Sequence, residues 1–182
     1  MALFVYVDNS NVWIEGQRLS AVRRGLASDP LDAMHRKIVD NDWRYDFGRL
    51  YQLACPDIAQ IGRSILFGSR PPANDSLWRL AREQGFEVVL FDRNAQNREK
   101  EVDVSLATTM MEDSYEYMKI ERHDKAVLIS GDRDFVPTVR SLQKRGFPTH
   151  VVFWKHATAG ALVEAASDTD WLDPHLDYLA GK

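Results

Sequence analysis

Cysteine is almost absent from this chain of 182 residues, in which Cys55 is the only one. A single thiol cannot form an internal disulfide or a cysteine-based zinc site. It is typical of proteins in a reducing compartment, so we expect a cytoplasmic location. Long apolar runs are lacking as well. No stretch is long enough to cross a membrane, and the short apolar run before Asp8 follows no basic segment, so we expect neither a membrane span nor a signal peptide.

An excess of positive charge is also missing. The 23 Lys and Arg residues are outnumbered by 27 Asp and Glu residues, which gives a formal net charge of -4. This balance excludes the broadly basic surface of a protein that coats DNA, although a local patch of arginines can still contact phosphate. The histidines show no metal-ligand spacing, and we expect most of them at the surface: His35, His123, His150, His156 and His175.

The chain does contain enough apolar residues for a core, since 45% of it is hydrophobic. Five apolar, β-rich runs predict strands at Leu3–Val7, Ile61–Phe67, Phe86–Phe91, Ala126–Ile129 and His150–Trp154. Helical patterns stand between them. One is "NDSLWRLAREQG", with a cap at Asn74 or Asp75 and an end at Gly85, and another is "DFVPTVRSLQKRG", which ends at Gly146. This alternation predicts a single α/β domain over residues 1–182, with a mostly parallel sheet and helices on both faces.

An arginine-rich segment at about residues 16–45 interrupts this alternation. It separates the first strand from the helical pattern "DFGRLYQLA", and connections of this length are usually functional or partly structured. Because it follows the first strand, we expect it over the carboxyl edge of the sheet, as a lid or a substrate-contacting insertion. A purely structural packing role is the alternative.

Acidic residues follow several of the predicted strands. Asp8 ends the first strand in "LFVYVDNSN", Asp92 ends the third, and "VLISGDRDF" leads from the fourth strand into Asp132 and Asp134. Asp103 stands near the start of an amphipathic helix after the third strand. Ligands of open α/β sheets bind beyond the carboxyl ends of the strands. A parallel sheet can therefore bring all of these acids except Asp92 into one cleft.

Each acid also has an ordinary structural explanation. Asp103 and Asp134 suit the N-caps of their own helices, and Asp132 suits a Gly-Asp turn. A group of carboxylates is harder to explain in this way, because two unit charges about 4 Å apart repel by roughly 4 kcal/mol at an effective dielectric near 20. Such a cleft has raised pKa values or holds cations. The all-oxygen ligand set favours Mg²⁺ or Mn²⁺ over zinc.

Three motifs, in this order and at this spacing, carry a family resemblance: "VYVDNSNV", "KEVDVSLATTMM" and "LISGDRDFVPTVRSLQKRG". Together they resemble the signature blocks of NYN-domain proteins, the PIN-like nuclease group that includes the LabA-like bacterial proteins. The similarity runs from Leu3 to about Trp171, apart from the arginine-rich segment. It implies a PIN-like three-layer α/β/α sandwich with a central, mainly parallel sheet of five or six strands. It also implies a ribonuclease that hydrolyses RNA phosphodiester bonds at an Asp-bound Mg²⁺ or Mn²⁺ site.

Carried over by position, the resemblance implies a set of site residues. The acids that match the family's catalytic and metal-binding site are Asp8, Asp103, Asp132 and Asp134. Asn11 matches the polar residue of the first motif, and the predicted substrate-binding residues are Asn11, Ser130, Arg133 and Lys100. In this scheme one or two ions activate a water for in-line attack and stabilise the leaving 3′ oxygen, which gives 5′-phosphate products. One position departs from the pattern, because Thr109 stands where many members carry a further acid.

The expected partner is RNA, with no membrane involved and a homodimer left open. Trp13, Trp43 or Tyr45 are candidates to stack on unpaired bases, which favours single-stranded RNA. Core packing is the alternative for Trp13.

Other functions share some of these features. A haloacid-dehalogenase-type phosphatase needs a second acid where Ser10 stands, and a response-regulator receiver needs an acidic pair where the first strand offers only Asp8. The stronger alternative is a catalytically weak or inactive PIN-like module that binds RNA or a regulatory partner. Thr109 and the acidic net charge favour that alternative.

Overall fold

The described residues form one sheet of six parallel strands. The computed structural model describes residues 1–54, 60–70, 76–92 and 98–181, apart from the side chains of residues 70, 92 and 98–100. The strands are β1 (Leu3–Asp8), β2 (Ile61–Arg70), β3 (Glu87–Asp92), β4 (Lys125–Ile129), β5 (Thr149–Phe153) and β6 (Asp168–Trp171). Their order across the sheet is β3-β2-β1-β4-β5-β6. This arrangement confirms the predicted parallel sheet and gives it six strands.

Strand β1 lies in the interior of the sheet, and all its residues from Phe4 to Asp8 are buried. Val5 and Val7 pack on one face, and Phe4 and Tyr6 pack on the other. Successive side chains of a strand point to opposite faces, so a strand covered on both sides has to be apolar at nearly every position. The unbroken apolar run in the sequence has this physical origin.

The helices cover both faces of the sheet. They are α1 (Asn9–Arg23), α2 (Pro30–His35), α3 (Phe47–Ala54), α4 (Ser76–Glu83), α5 (Arg98–Glu116), α6 (Val136–Lys144), α7 (Gly160–Ala165) and α8 (Leu176–Leu179). Helices α1, α3, α4 and α8 contribute to the hydrophobic cluster on one face, and α5, α6 and α7 contribute to the cluster on the other. The predicted three-layer α/β/α sandwich is therefore confirmed.

Glycines end two of the predicted helices as expected. Gly85 after α4 and Gly146 after α6 have φ of 110° and 89°, a left-handed conformation that favours glycine. The cap expected at Asn74 or Asp75 lies outside the described residues, as does Cys55.

The arginine-rich segment packs against α1. Helix α1 itself continues to Arg23, so part of the segment is simply the rest of this helix. Further along, the backbone N–H of Asp40 donates to the carbonyl of Gln17 in the same helix at 3.1 Å, and the Asp40 carboxylate pairs with Arg24 at 2.6 Å. These contacts support the packing role rather than a lid.

Within the described residues, no helix is both long and apolar enough to span a membrane.

Candidate functional site

The residue that ends β1 also caps α1. Asp8 is 2% exposed, and its Oδ1 accepts a hydrogen bond from the backbone N–H of Asn11 at 3.3 Å. The Asn11 side chain donates a second bond from Nδ2 to Asp8 Oδ2 at 2.5 Å. A carboxylate here satisfies a free N–H of the first helical turn and faces the positive end of the helix dipole. The abrupt change from apolar to polar residues therefore marks a strand end and a helix start at one position.

Asp132 approaches the same point from β4. Ser130 is fully buried, and its Oγ donates to Asp8 Oδ2 at 3.3 Å and accepts from the backbone N–H of Asp132 at 3.3 Å. Asp132 in turn caps the 3₁₀ turn Arg133–Phe135 by accepting from the N–H of Asp134 at 2.9 Å. From β1 the chain proceeds to β2 and β3 on one side and then crosses to β4 on the other. This reversal is a topological switch point, the place where ligands bind in such sheets.

Burial sets the ionisation of Asp8. Loss of solvent raises the pKa of its carboxyl, and hydrogen bonds from Asn11 and Ser130 lower it without cancelling the effect of burial. The negative charge of Asp132 raises the pKa further. A cation at this point would favour the ionised form of the Asp8 carboxyl.

The other two predicted acids are placed differently. Asp103 is partly exposed in the second turn of α5, five residues after Arg98, so it is not an N-cap. Asp134 is exposed. Among the described residues, which include all four aspartates, no three His, Cys, Asp or Glu side chains form a group that could hold a metal ion. The structure brings Asp8 and Asp132 together, and the wider set of four ligands stays a prediction.

The predicted substrate-binding residues divide into three groups. Asn11 and Ser130 both contact the Asp8 carboxylate. Arg133 is exposed beside Asp132 and lines a cavity there. The side chain of Lys100 lies outside the described residues, so its role stays a prediction.

Two residues that line this cavity, Glu15 and His156, were not predicted as site residues. The cavity has a volume of about 390 Å³ and is lined by Asn11, Glu15, Asp132, Arg133 and His156, among others. Glu15 could have been found, because it follows Asn11 by four residues and Asp8 by seven, the spacing of one helix face. Sequence carried no comparable signal for His156, which comes from the turn after β5.

The prediction that Trp43 or Tyr45 stacks on bases is wrong. They are 1% and 4% exposed, because both pack in the core between α1 and the sheet. The Tyr45 hydroxyl donates to Oδ1 of Asn9, and burial together with the charge of Asp8 raises the pKa of Tyr45 well above its usual value. Trp13 packs edge-to-face on Tyr45 with ring centroids 5.5 Å apart, which matches its core alternative.

Family membership follows from comparison with known domains. The family model described as "NYN domain" matches residues 5–173, which is most of the chain. The chain belongs to the NYN domain family. NYN domains are part of the PIN-like superfamily, whose members are generally ribonucleases and usually use divalent metal ions.

Solved structures support the same fold. A Vibrio parahaemolyticus protein of unknown function is similar with a TM-score of 0.63 and 18% sequence identity, over 94% of this chain and 92% of that chain. At this identity the likeness shows the fold alone. No curated protein matches this chain.

The NYN switch point fits a divalent cation in its donor chemistry. The carboxylates of Asp8 and Asp132 and the neutral oxygens of Asn11 and Ser130 are ligands of the kind that Mg²⁺ and Mn²⁺ prefer. Mg²⁺ is commonly held by one or two carboxylates, with water and substrate phosphate completing its coordination. The buried carboxylate of Asp8 and the partly exposed carboxylate of Asp132 meet that requirement in number. Thr109 is partly exposed on α5, and the absence of a family acid there stays a prediction from the resemblance.

Proposed function

We propose that this NYN-domain protein is a metal-dependent ribonuclease that hydrolyses phosphodiester bonds of single-stranded RNA in the cytoplasm. The observation that carries the proposal lies at the switch point between β1 and β4, where Ser130 links the buried Asp8 carboxylate to the backbone of Asp132 and the charge of Asp132 raises the pKa of Asp8. A buried carboxylate that is also exposed to the negative charge of a second aspartate costs stability unless a cation offsets the charge. Family membership supplies the reaction class.

Residues around Asp8 hold its carboxylate in a fixed orientation, and Arg133 is placed to contact the RNA backbone. Asn11 and Ser130 fix both oxygens of Asp8, so this carboxylate has one orientation when substrate arrives. Arg133 presents an exposed guanidinium at the rim, where its planar fork suits a phosphate of the RNA backbone. Contacts of this kind carry no sequence information, so cleavage should be sensitive to salt and only weakly sequence-specific.

Asp8 and Asp132 would hold a Mg²⁺ or Mn²⁺ ion, with Asp103 and Asp134 as the further ligands proposed from the family pattern. When bound, the ion supplies Lewis-acid stabilisation of the charge that develops on the phosphate oxygens. The protein contributes fixed charges and alignment, with no covalent intermediate.

The direct test compares the purified wild-type protein with Asp132→Asn on a labelled single-stranded RNA in the presence of Mn²⁺. We expect the variant to lose cleavage by about 10²–10³-fold, the scale seen when one electrostatic contact to a transition state is removed. Asp42→Asn is the matched control, because it makes the same change at a side chain that is 83% exposed. Equal cleavage by wild type and Asp132→Asn would rule out this site.

A specific observation favours one other function. The described residues hold no three-ligand metal group, and Thr109 stands where the family resemblance implies a further acid. Both features suit a PIN-like module that binds RNA or a regulatory partner without cutting. Mn²⁺ separates the two proposals, because an ion at 100 times its Kd stabilises the folded state by about 2.7 kcal/mol. If Mn²⁺ neither raises the melting temperature nor supports cleavage while RNA still binds, the binding module is the correct function.

The increase in melting temperature caused by Mn²⁺ should depend on pH in a defined direction. Because the pKa of Asp8 is raised on folding, the metal-free protein gains stability from Asp8 at low pH and loses it as pH rises through the folded-state pKa. A bound cation competes with the proton, so the increase in melting temperature with Mn²⁺ should be larger at neutral than at acidic pH. No such increase is expected for Asp132→Asn.

A further inference from the structure

The cavity beside Asp132 contains a histidine–carboxylate pair on the side formed by α1 and the turn after β5. His156 Nε2 lies 3.1 Å from Oε2 of Glu15, and the other carboxylate oxygen of Glu15 accepts a hydrogen bond from Arg18. Although residue 156 as a whole is exposed, the side chains of His156 and Glu15 are only 17% and 13% exposed. The pair is therefore shielded from bulk water while still lining the cavity.

Glu15 determines which nitrogen of His156 can act as a base. An ionised carboxylate only accepts hydrogen bonds, so Nε2 of a neutral imidazole carries the proton and donates it to Glu15. The second nitrogen, Nδ1, then has a free lone pair. A base oriented by a third group in this way is a recurring arrangement at reactive sites.

The turn that carries His156 is fixed against the Asp132 turn. The backbone N–H of Ala159 donates to the carbonyl of Gly131 at 2.9 Å, and the Ala157 carbonyl oxygen lies directly against Gly131. The Thr158 hydroxyl donates to the Trp154 carbonyl at 2.8 Å. His156 and Asp132 therefore line one small cavity in a fixed relation.

Charged residues near His156 stand on α1, in the turns after β4 and β6, and in its own turn. They are Glu15 and Arg18 on α1, Asp132 and Arg133 after β4, Asp173 after β6, and Lys155 in the same turn. Asp173 accepts from the backbone N–H of Lys155 at 2.8 Å, which anchors the turn at its other end.

The aspartates are less available as proton acceptors than His156. Both oxygens of Asp8 and one oxygen of Asp132 already accept hydrogen bonds. Imidazole is the side chain that most often serves as a general base.

We propose that His156 is the general base of the reaction, held in its working tautomer by Glu15; this inference rests on the proposed ribonuclease function. Nδ1 takes a proton from a water in the cavity as the water oxygen forms a bond to the RNA phosphorus. The bond from phosphorus to the 3′ oxygen breaks, and that oxygen takes a proton from solvent. The products are a 5′-phosphate and a 3′-hydroxyl, and His156 then returns its proton to solvent.

The test measures kcat/KM for a labelled single-stranded RNA with Mn²⁺ as a function of pH, for wild type, His156→Ala and His156→Gln. We expect both variants to fall by about 10²–10⁴-fold, the usual contribution of general base catalysis. The acidic limb of the wild-type profile should vanish in both. Added imidazole should restore cleavage by His156→Ala, which has space for it, and should leave His156→Gln slow. His35→Ala on α2 is the matched control at an exposed histidine and should behave as wild type.

The outcomes distinguish this inference from the proposed function. If wild type cleaves and His156→Ala cleaves equally well, the inference is wrong and the ribonuclease function stands. If His156→Ala is slow, is not rescued by imidazole, and has lost RNA affinity by the same factor, His156 binds substrate and is not the base. The melting temperature of each variant shows whether it is folded. A folded His156→Gln variant that cleaves slowly but binds RNA with normal affinity supports the inference. If neither wild type nor Asp132→Asn cleaves, the proposed function is wrong and the inference fails with it.

Discussion

Substituting alanine for Gly131 should destabilise the protein and disturb the candidate site together. Gly131 links β4 to Asp132, and a Cβ at this position would lie 2.5 Å from Cδ1 of Phe153 and still closer to the carbonyl oxygen of Ala157. The carbonyl belongs to the backbone of the turn that carries His156, and the N–H of Ala159 ties this turn to Gly131. Relief of the clash therefore requires the backbone to move.

The cost can be estimated from other overpacked cores. Adding a methyl group to a well-packed site costs about 1–3 kcal/mol. For a protein of this size, each kcal/mol lowers the melting temperature by roughly 2–4 °C, so we expect a decrease of roughly 2–12 °C. Thermal unfolding followed by far-UV circular dichroism measures it.

Gly160→Ala provides the matched control for this experiment. Gly160 is the first residue of α7, and a Cβ there meets no atom within 4 Å. Alanine at such a position is expected to be neutral or to stabilise by about 0.4–1 kcal/mol. A Gly131→Ala variant as stable as Gly160→Ala would refute the close packing of the two turns, and with it the fixed relation between His156 and Asp132.

Two further predictions concern buried acids away from the site. Asp124 is fully buried; burial raises its pKa, but hydrogen bonds from Arg122 and two backbone amides outweigh this and leave the pKa lowered. The ionised form of Asp124 therefore stabilises the fold at pH values above the unfolded-state pKa of about 3.9. In unfolding experiments, Asp124→Asn should be less stable than wild type by the largest amount near neutral pH. In acid, its stability should approach that of wild type. A pH-independent difference would contradict this reasoning. The Tyr6 hydroxyl donates to the buried Asp113 carboxylate at 2.9 Å, so Tyr6→Phe should cost about 1.5–3 kcal/mol in urea unfolding. Tyr117→Phe, at a residue 51% exposed, is the control and should change little.

The sequence identified the five apolar strands, and it missed β6, one of the two edge strands of the sheet. β1 and β4 are short apolar runs because helices cover both of their sides. β6 has the sequence DTDW, with alternate residues exposed, and within the described sheet its only neighbour is β5. A polar edge strand of this length shows no alternation of apolar and polar residues in the sequence. It is a strand because its backbone forms hydrogen bonds to β5.

The burial of aromatic residues was a second point that sequence could not supply. Trp43 and Tyr45 stand in a polar, arginine-rich segment that suggested a surface. In the fold, Trp43 packs against Trp154 with ring centroids 5.9 Å apart and donates from Nε1 to the carbonyl of Leu176 at 3.2 Å. These partners are more than a hundred residues away, so no local pattern could reveal them.

By itself the sequence determined which residues end strands and begin helices, because apolar periodicity and capping chemistry act over a few neighbouring residues. That local information placed Asp8 and Asp132 at strand ends and, through the three motifs, indicated the family. Only the tertiary structure decided which of these groups meet. The strand order brings Asp8 to Asp132 across Ser130, and it brings Glu15 to His156, 141 residues further along the chain. Contacts of this kind depend on how distant segments pack against one another, and local residue patterns do not contain that information.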